Sequence, residues 1–461
     1  MCLVSTSINT PENHTAQFGN SFLCQQNSFN TECIHPYSQQ QPHRMSTNYL
    51  SKISYVLVLV FILTTPIDNY ASTFINITVI LFGLFSVLNI MVDGEWKLNK
   101  IQLWTMVVMI YSLIVSIIII TDSTAPSTHI KHVRTLLLYF IVISTFITEI
   151  NTHNRAIGTL ISVSVAAVIA SALSLINLFV DLQHAFHRAP STYSLFVTDR
   201  TLGASIPYGS YGILLSVSVP FLILCIYKPK IIYSGLRIDR ARVYSAICLI
   251  ILALGLYVTQ SRSTIISIMC MLIFISTFII WERREYITKR LRRNVAGNKV
   301  LLLLILFVLL FGSIYTTNLL FLDLFGSRLE SISARLDQYI TSIEIILNNL
   351  IIGNGFGYFQ LVYGSDIQPH NLWLYIGSSL GGVAAFLWFS IFVLVFKFLL
   401  SLSFSDKTGS SLFWITVTCM VVGATIELSL YPGFSDVPAM FIGLILGCTG
   451  VYDMESKNNK S

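Results

Sequence analysis

The 461-residue chain is 54% hydrophobic and only 11% charged, with a net charge of +6 and a mean hydropathy of +0.72. A soluble domain carries about 25% charged residues, so this composition excludes an ordinary soluble fold and implies an all-α polytopic membrane protein, whose backbone polar groups are satisfied within each helix. The positive balance does not point to nucleic acid, because most of it lies in short loops between apolar runs.

Residues 1–44 differ from the rest. They are rich in Asn, Gln, Ser and Thr and hold no apolar run long enough for a signal-peptide core. Met45 opens MSTNYLSKISYVLVLVF, which reads as the natural start of such a protein and makes 1–44 a polar leader, either disordered or a mis-assigned start. Of the eight cysteines, Cys2, Cys24 and Cys33 lie in this leader and the others inside apolar runs, with no spacing that suggests zinc or a redox centre.

Spanning a bilayer takes about 20 apolar residues. Candidate spans fall at 52–67, 71–91, 101–120, 132–149, 156–180, 206–227, 243–260, 263–281, 299–317, 371–397, 411–428 and 434–451. This gives about twelve transmembrane helices: nine within 45–317, a large outer loop over 318–370, three more within 371–451 and a tail over 452–461. Of the 28 Lys and Arg, 21 fall in the loops that share a side with the termini and 7 on the other side. The positive-inside bias therefore places both termini in the cytoplasm. The cytoplasmic arginines need no further role; Arg262, Arg328 and Arg335, on or near the outer face, do.

In chain order, the first candidate feature is the outer loop over 181–205, which holds Asp199-Arg200. Next comes Thr259-Gln260-Ser261-Arg262-Ser263, a tight outer turn between two spans. Its arginine suits either a phosphate clamp or an interfacial side chain reaching to headgroups. The large loop is next. Within it Ile332, Leu336, Ile340, Ile343, Leu347 and Leu350 recur every three or four residues, the apolar face of an amphipathic helix at the membrane surface. Arg335, Gln338 and Ser342 fall on an adjoining polar strip, with Arg328 one heptad before Arg335. Gly353-Asn354-Gly355-Phe356-Gly357 then reads as a turn whose glycines permit close backbone approach; it lacks the strand and the Lys-Ser/Thr of a phosphate loop. Finally Gln368-Pro369-His370-Asn371 enters an aromatic-rich span, with His370 able to exchange a proton near neutral pH and Asn371 a helix-cap candidate.

Taken in order, TQSRSTIIS, SARLDQYITSIEIILNNLIIGNGFGYF and PHNLWLYIGSSLGG resemble the O-antigen ligase and polymerase superfamily of bacterial envelope glycan assembly. The resemblance covers about 260–385; the Asp199-Arg200 segment looks similar to ligase members, and the N-terminal half matches in hydropathy alone. It implies a multi-pass inner-membrane glycosyltransferase working at the periplasmic face. The donor would be a glycan on undecaprenyl diphosphate and the acceptor a lipid A-core sugar or a second lipid-linked glycan, with neither metal nor other cofactor. Under that resemblance Arg262 and Arg335 stabilise the leaving diphosphate and His370 is the general base. Arg200, Arg328 and Asn371 are substrate contacts, and Glu330, Asp366, Glu427 and Asp436 are candidate acidic partners for His370. Tyr339, Trp373 and Tyr375 suit sugar stacking or an interfacial aromatic belt. The ligase reading is preferred on the SRS turn, the SARL-x-x-Y helix start and the DR segment; a polymerase is the alternative. A transporter or flippase is the alternative of another class, against which polarity concentrates in the outer loops rather than at the membrane midplane.

Overall fold

The computed structural model describes residues 41–65, 68–93, 98–122, 126–187, 208–227, 238–259, 262–282, 329–363, 368–405, 411–430 and 436–458. Met1–Arg44 and Met45–Ser461 are separate units, and the second holds the helix bundle. The described elements are α-helices: α1 (Gln41–Thr64), α2 (Asp68–Asp93), α3 (Lys100–Asp122), α4 (Pro126–Glu149), α5 (His153–His187), α6 (Tyr208–Tyr227), α7 (Ile238–Thr259), α8 (Arg262–Glu282), α9 (Leu329–Asn348), α10 (Tyr358–Tyr363), α11 (Leu372–Leu380), α12 (Gly382–Ser405), α13 (Ser411–Leu430) and α14 (Asp436–Asn458). Each run expected to span falls on a described helix except 371–397, which falls on two, and 299–317, which lies outside the described residues. Lys100–Ile119, His132–Glu149, His153–Ile176, Gly382–Phe404 and Ser411–Leu430 are long and apolar enough to cross a membrane, and Tyr49–Thr64, Asn76–Met91, Tyr211–Tyr227, Ser263–Phe278 and Val437–Val451 are shorter apolar stretches.

One expected span is two helices. The run 371–397 breaks at Gly381, whose φ of 92° ends α11 before α12 begins at Gly382. The Gly-rich turn fills the break. Gly353, Gly355 and Gly357 all have positive φ, which lets the turn lie with its backbone against that of 379–381. Gly355 N–H donates to Ser379 O at 2.9 Å and Val383 N–H to Leu350 O at 3.1 Å. Tyr111 on α3 secures the turn from the other side by donating to Ile351 O at 2.8 Å. Carbonyls freed by a broken helix must find donors in a medium without water, and here Ser379 O finds one in the turn.

The helix at the centre is α13, which packs against α6, α8, α11, α12 and α14. Its apolar window is 78% buried, against 33–56% for the other long apolar helices, so it faces protein where they also face lipid. Small residues allow the approach: Met271 of α8 packs directly on Gly423, and Phe146 of α4 and Ile150 just after it pack on Gly443 and Gly447 of α14. Hydroxyls inside the helices bond to the carbonyl one turn back, as at Ser112, Ser164, Thr416 and Thr418, so they enter the apolar core already satisfied.

At one end of the bundle, α1, α4 and α5 are joined through Arg155. Its Nη1 meets Glu149 Oε2 at 2.9 Å and Glu149 O at 3.0 Å, and Nη2 donates to Ser51 Oγ at 2.6 Å. The Glu149 side chain is 1% exposed. Removing one member of a buried pair strands the other charge, at a cost of about 3–5 kcal/mol. Arg155→Ala is therefore expected to lower the melting temperature of the detergent-purified protein sharply; an unchanged melting curve would show that the pair contributes nothing.

Candidate active site

Three elements reach α13 near its last turn, and a fourth, α9, is bonded to one of them. The first is the start of α11. Asn371 caps it: its Oδ1 accepts from Trp373 N–H at 2.9 Å and from Leu374 N–H at 3.1 Å, satisfying two of the donors that a helix start leaves unpaired. The Asn371 Nδ2 then reaches across to donate to Ser429 O at 3.0 Å, and the Trp373 indole N–H donates to Ser429 Oγ at 3.0 Å. Two side chains thus fasten this helix start to one residue of α13, with His370 immediately before the cap.

The second element is α9. Leu336 (57%), Ile340 (48%), Ile343 (48%) and Leu347 (69%) are exposed, while Gln338, Ser342 and Ile345 are buried. The helix turns its apolar stripe outward and its polar strip towards the bundle, the reverse of a helix packed on a protein core in water. That orientation suits a helix at a lipid surface. Arg335 and Tyr339, one turn apart and both part-buried, flank the inward face. Tyr339 Oη donates to His370 O at 3.0 Å, so the helix that carries Arg335 is bonded to the backbone of His370. Gln338 is 3% exposed, and its Oε1 has no hydrogen-bond partner among the described residues.

The third and fourth elements are the N-terminus of α8, which Arg262 opens, and α6. Glu427 of α13 is fully buried beside them. A Cβ on Gly212 of α6 would lie 2.6 Å from both Glu427 Oε2 and Thr264 Oγ1, which puts the carboxylate and the hydroxyl on either side of that glycine. The Ser263 and Thr264 hydroxyls face the carboxylate, although neither of its oxygens makes a hydrogen bond of regular geometry among the described residues. The helix that Arg262 opens and the cap that follows His370 thus both meet α13 near its last turn, while α9, which carries Arg335, is tied to His370 O.

Residues 247–389, less than half of the chain, match the O-antigen ligase family. That segment is similar to an O-antigen ligase domain. No curated protein matches closely enough to count as a relative. The matched segment runs from α7 into α12, so the O-antigen ligase domain holds Arg262, Arg328, Arg335, His370 and Asn371, while Glu427 and Ser429 lie beyond it. Membership of the O-antigen ligase and polymerase superfamily, expected from the three motifs, is supported by this match.

Around the site of this O-antigen ligase domain, Arg200 and Arg328 lie outside the described residues, as do the side chains of Arg262, Glu330, Asp366 and Asp436. Of the four acidic candidates only Glu427 is therefore located, and it faces the turn after Arg262. The aromatic residues prove to be held in place: Tyr375 is 5% exposed and packs on Phe356, and Trp373 stands edge-on to Phe389 and Phe392. Sequence reasoning missed the break at Gly381, although the Gly-Gly pair inside an apolar run is its signal. It also missed Ser429, for which no motif could have spoken. Among the described residues no group of three His, Cys, Asp or Glu side chains is placed to hold a metal ion.

Proposed function

We propose that this protein is an O-antigen ligase-type glycosyltransferase of the bacterial inner membrane, multi-pass with about twelve spans and cytoplasmic termini. In this reading it moves a glycan from undecaprenyl diphosphate to a lipid A-core sugar hydroxyl at the periplasmic face. The observation that supports the reading is the pair of bonds that tie α9 to His370 O and the Asn371 cap to Ser429 of α13, beside the segment matched to the O-antigen ligase family.

The chemistry makes two demands. The acceptor oxygen forms a bond to the anomeric carbon while the bond from that carbon to the diphosphate oxygen breaks, so negative charge grows on the leaving diphosphate. Arg262 and Arg335 meet that charge. A guanidinium stays protonated and matches phosphate oxygens two at a time, and cations fixed in place beforehand in a partly dry site contribute several kcal/mol. The proton lost by the acceptor hydroxyl passes to the His370 imidazole, a general base worth about 10²–10⁴ in rate. Tyr339 and Asn371 hold His370 between α9 and α13 through its carbonyl and the adjoining cap. Arg200 and Arg328 supply further contacts to phosphate or sugar, and the outward apolar face of α9 seats the loop on the lipid that carries the donor.

A broken membrane helix is also a transporter feature, where freed backbone groups bind ions or substrate. Here the break is occupied by the protein's own Gly-rich turn, through Gly355 N–H on Ser379 O, which favours the enzyme reading. Lipopolysaccharide from a deletion strain tests the assignment. Free lipid-linked polymer beside bare core is the ligase result. Core capped by a single repeat identifies a polymerase instead, and unchanged lipopolysaccharide overturns both.

A further inference from the structure

We infer that Glu427, outside the matched domain, is a positioning residue that sets the Arg262 turn relative to His370; the role in catalysis rests on the transferase reading above. The seam between α6, α8 and α13 has two polar layers one helical turn apart. In the lower layer Ser216 Oγ and Ser267 Oγ lie 2.9 Å apart, and Ser267 Oγ donates to Gly423 O at 2.7 Å. In the upper layer each helix has moved on by three or four residues: Gly212 replaces Ser216, Ser263 and Thr264 replace Ser267, and Glu427 replaces Gly423. The lower layer fastens α8 to α13 with neutral hydroxyls. A second neutral layer would serve packing equally well, whereas a carboxylate costs several kcal/mol to bury. Gly212 is what makes room for it, since any side chain there would meet both the carboxylate and Thr264 Oγ1.

The position of this acid explains its cost. It lies against the first turn of α8, which Arg262 opens and where the helix dipole favours negative charge. Two residues further along α13, Ser429 holds the cap beside His370 from another face of the same turn. The segment Glu427–Ser429 thus touches the first turn of α8 on one face and the cap that follows His370 on another. An acid acting in this way touches α8 rather than substrate.

The test uses full-length protein in nanodiscs with a lipid-diphosphate-linked glycan donor. Displacing a reacting or stabilising group by about 1 Å costs about 100-fold in rate, so E427A is expected to lower kcat by about that factor with the KM for the acceptor unchanged. E427Q, which keeps one acceptor oxygen, should lose less. Because Glu427 acts through Arg262, E427A should add nothing further in an R262A background. Multiplicative losses, a kcat for E427A within about twofold of wild type, or E427Q as impaired as E427A would each overturn the inference. Hydrogen exchange provides a readout that needs no turnover: amides of residues 262–266 should exchange faster in E427Q and in T264V while those of α11 do not change. If wild-type protein transfers nothing, the transferase reading fails and the exchange result still decides the positioning claim; unchanged exchange overturns it.

Discussion

Alanine at His370 or at Arg335 is expected to reduce glycan transfer to background while the protein accumulates to its normal level. The two losses have different origins. Without the imidazole, the acceptor hydroxyl must surrender its proton to water, a loss of about 10²–10⁴ in rate. Without the guanidinium, the departing diphosphate loses a fixed counter-charge, worth about 10²–10³ by comparison with other preorganised donors. Neither residue is part of the buried core: both are part-buried, and the bond between α9 and the His370 segment uses the His370 backbone carbonyl and Tyr339, which both variants retain. Stability should therefore be spared. Arg335→Lys separates charge from shape, because an ammonium is a point charge without the planar fork; it should recover only part of the loss. Measured in vitro with purified variants, full activity in both alanine proteins would remove the catalytic assignment.

How far the site could be read from sequence depends on how local each signal is. The stripe from Leu336 to Leu347 follows from helical spacing alone, and the structure places it on the outside of α9 with Gln338 and Ser342 inward. The glycines at 353, 355 and 357 were legible as a turn of close approach because their spacing has few other uses, and all three have positive φ. Asn371 was legible as a cap for the same reason. What occupies the turn's concave side was not legible: nothing in residues 350–355 names Ser379 or Gly381 as its partner. Glu427 illustrates the limit best. Its sequence context offers an acid near a membrane face and nothing more, so it stood equal with Glu330, Asp366 and Asp436. Only the three-helix seam, built from Gly212, Thr264 and Gly423 across more than two hundred residues, gives it a place against α8. The tie between Asn371 and Ser429 is hidden in the same way, since it depends on two helices arriving together.

Gly353→Ala should be among the most damaging single-methyl changes in the matched segment. Two penalties coincide there. The backbone has φ of 77°, which costs an alanine about 1–2 kcal/mol. The added Cβ would also press on Gly381 N and lie 2.6 Å from Leu380 C and Ser379 O. These are backbone atoms and cannot swing aside. To accommodate the methyl, the turn must lift from the break between α11 and α12, which breaks the bonds from Gly355 N–H to Ser379 O and from Val383 N–H to Leu350 O. Each buried polar group left unpaired costs about 1–3 kcal/mol more. The turn joins α9 to the span that starts at His370, so lifting it moves Arg335 relative to the imidazole as well. Transfer should fall by about 100-fold together with a marked drop in melting temperature. Gly382→Ala is the control: its Cβ would meet the ends of the Leu350 and Ile346 side chains, which can rotate away, and its position opens α12. That variant should stay close to wild type in both measurements. Equal behaviour of the two variants would show that the turn is not wedged against the helix break, and that the geometry linking Arg335 to His370 has another source.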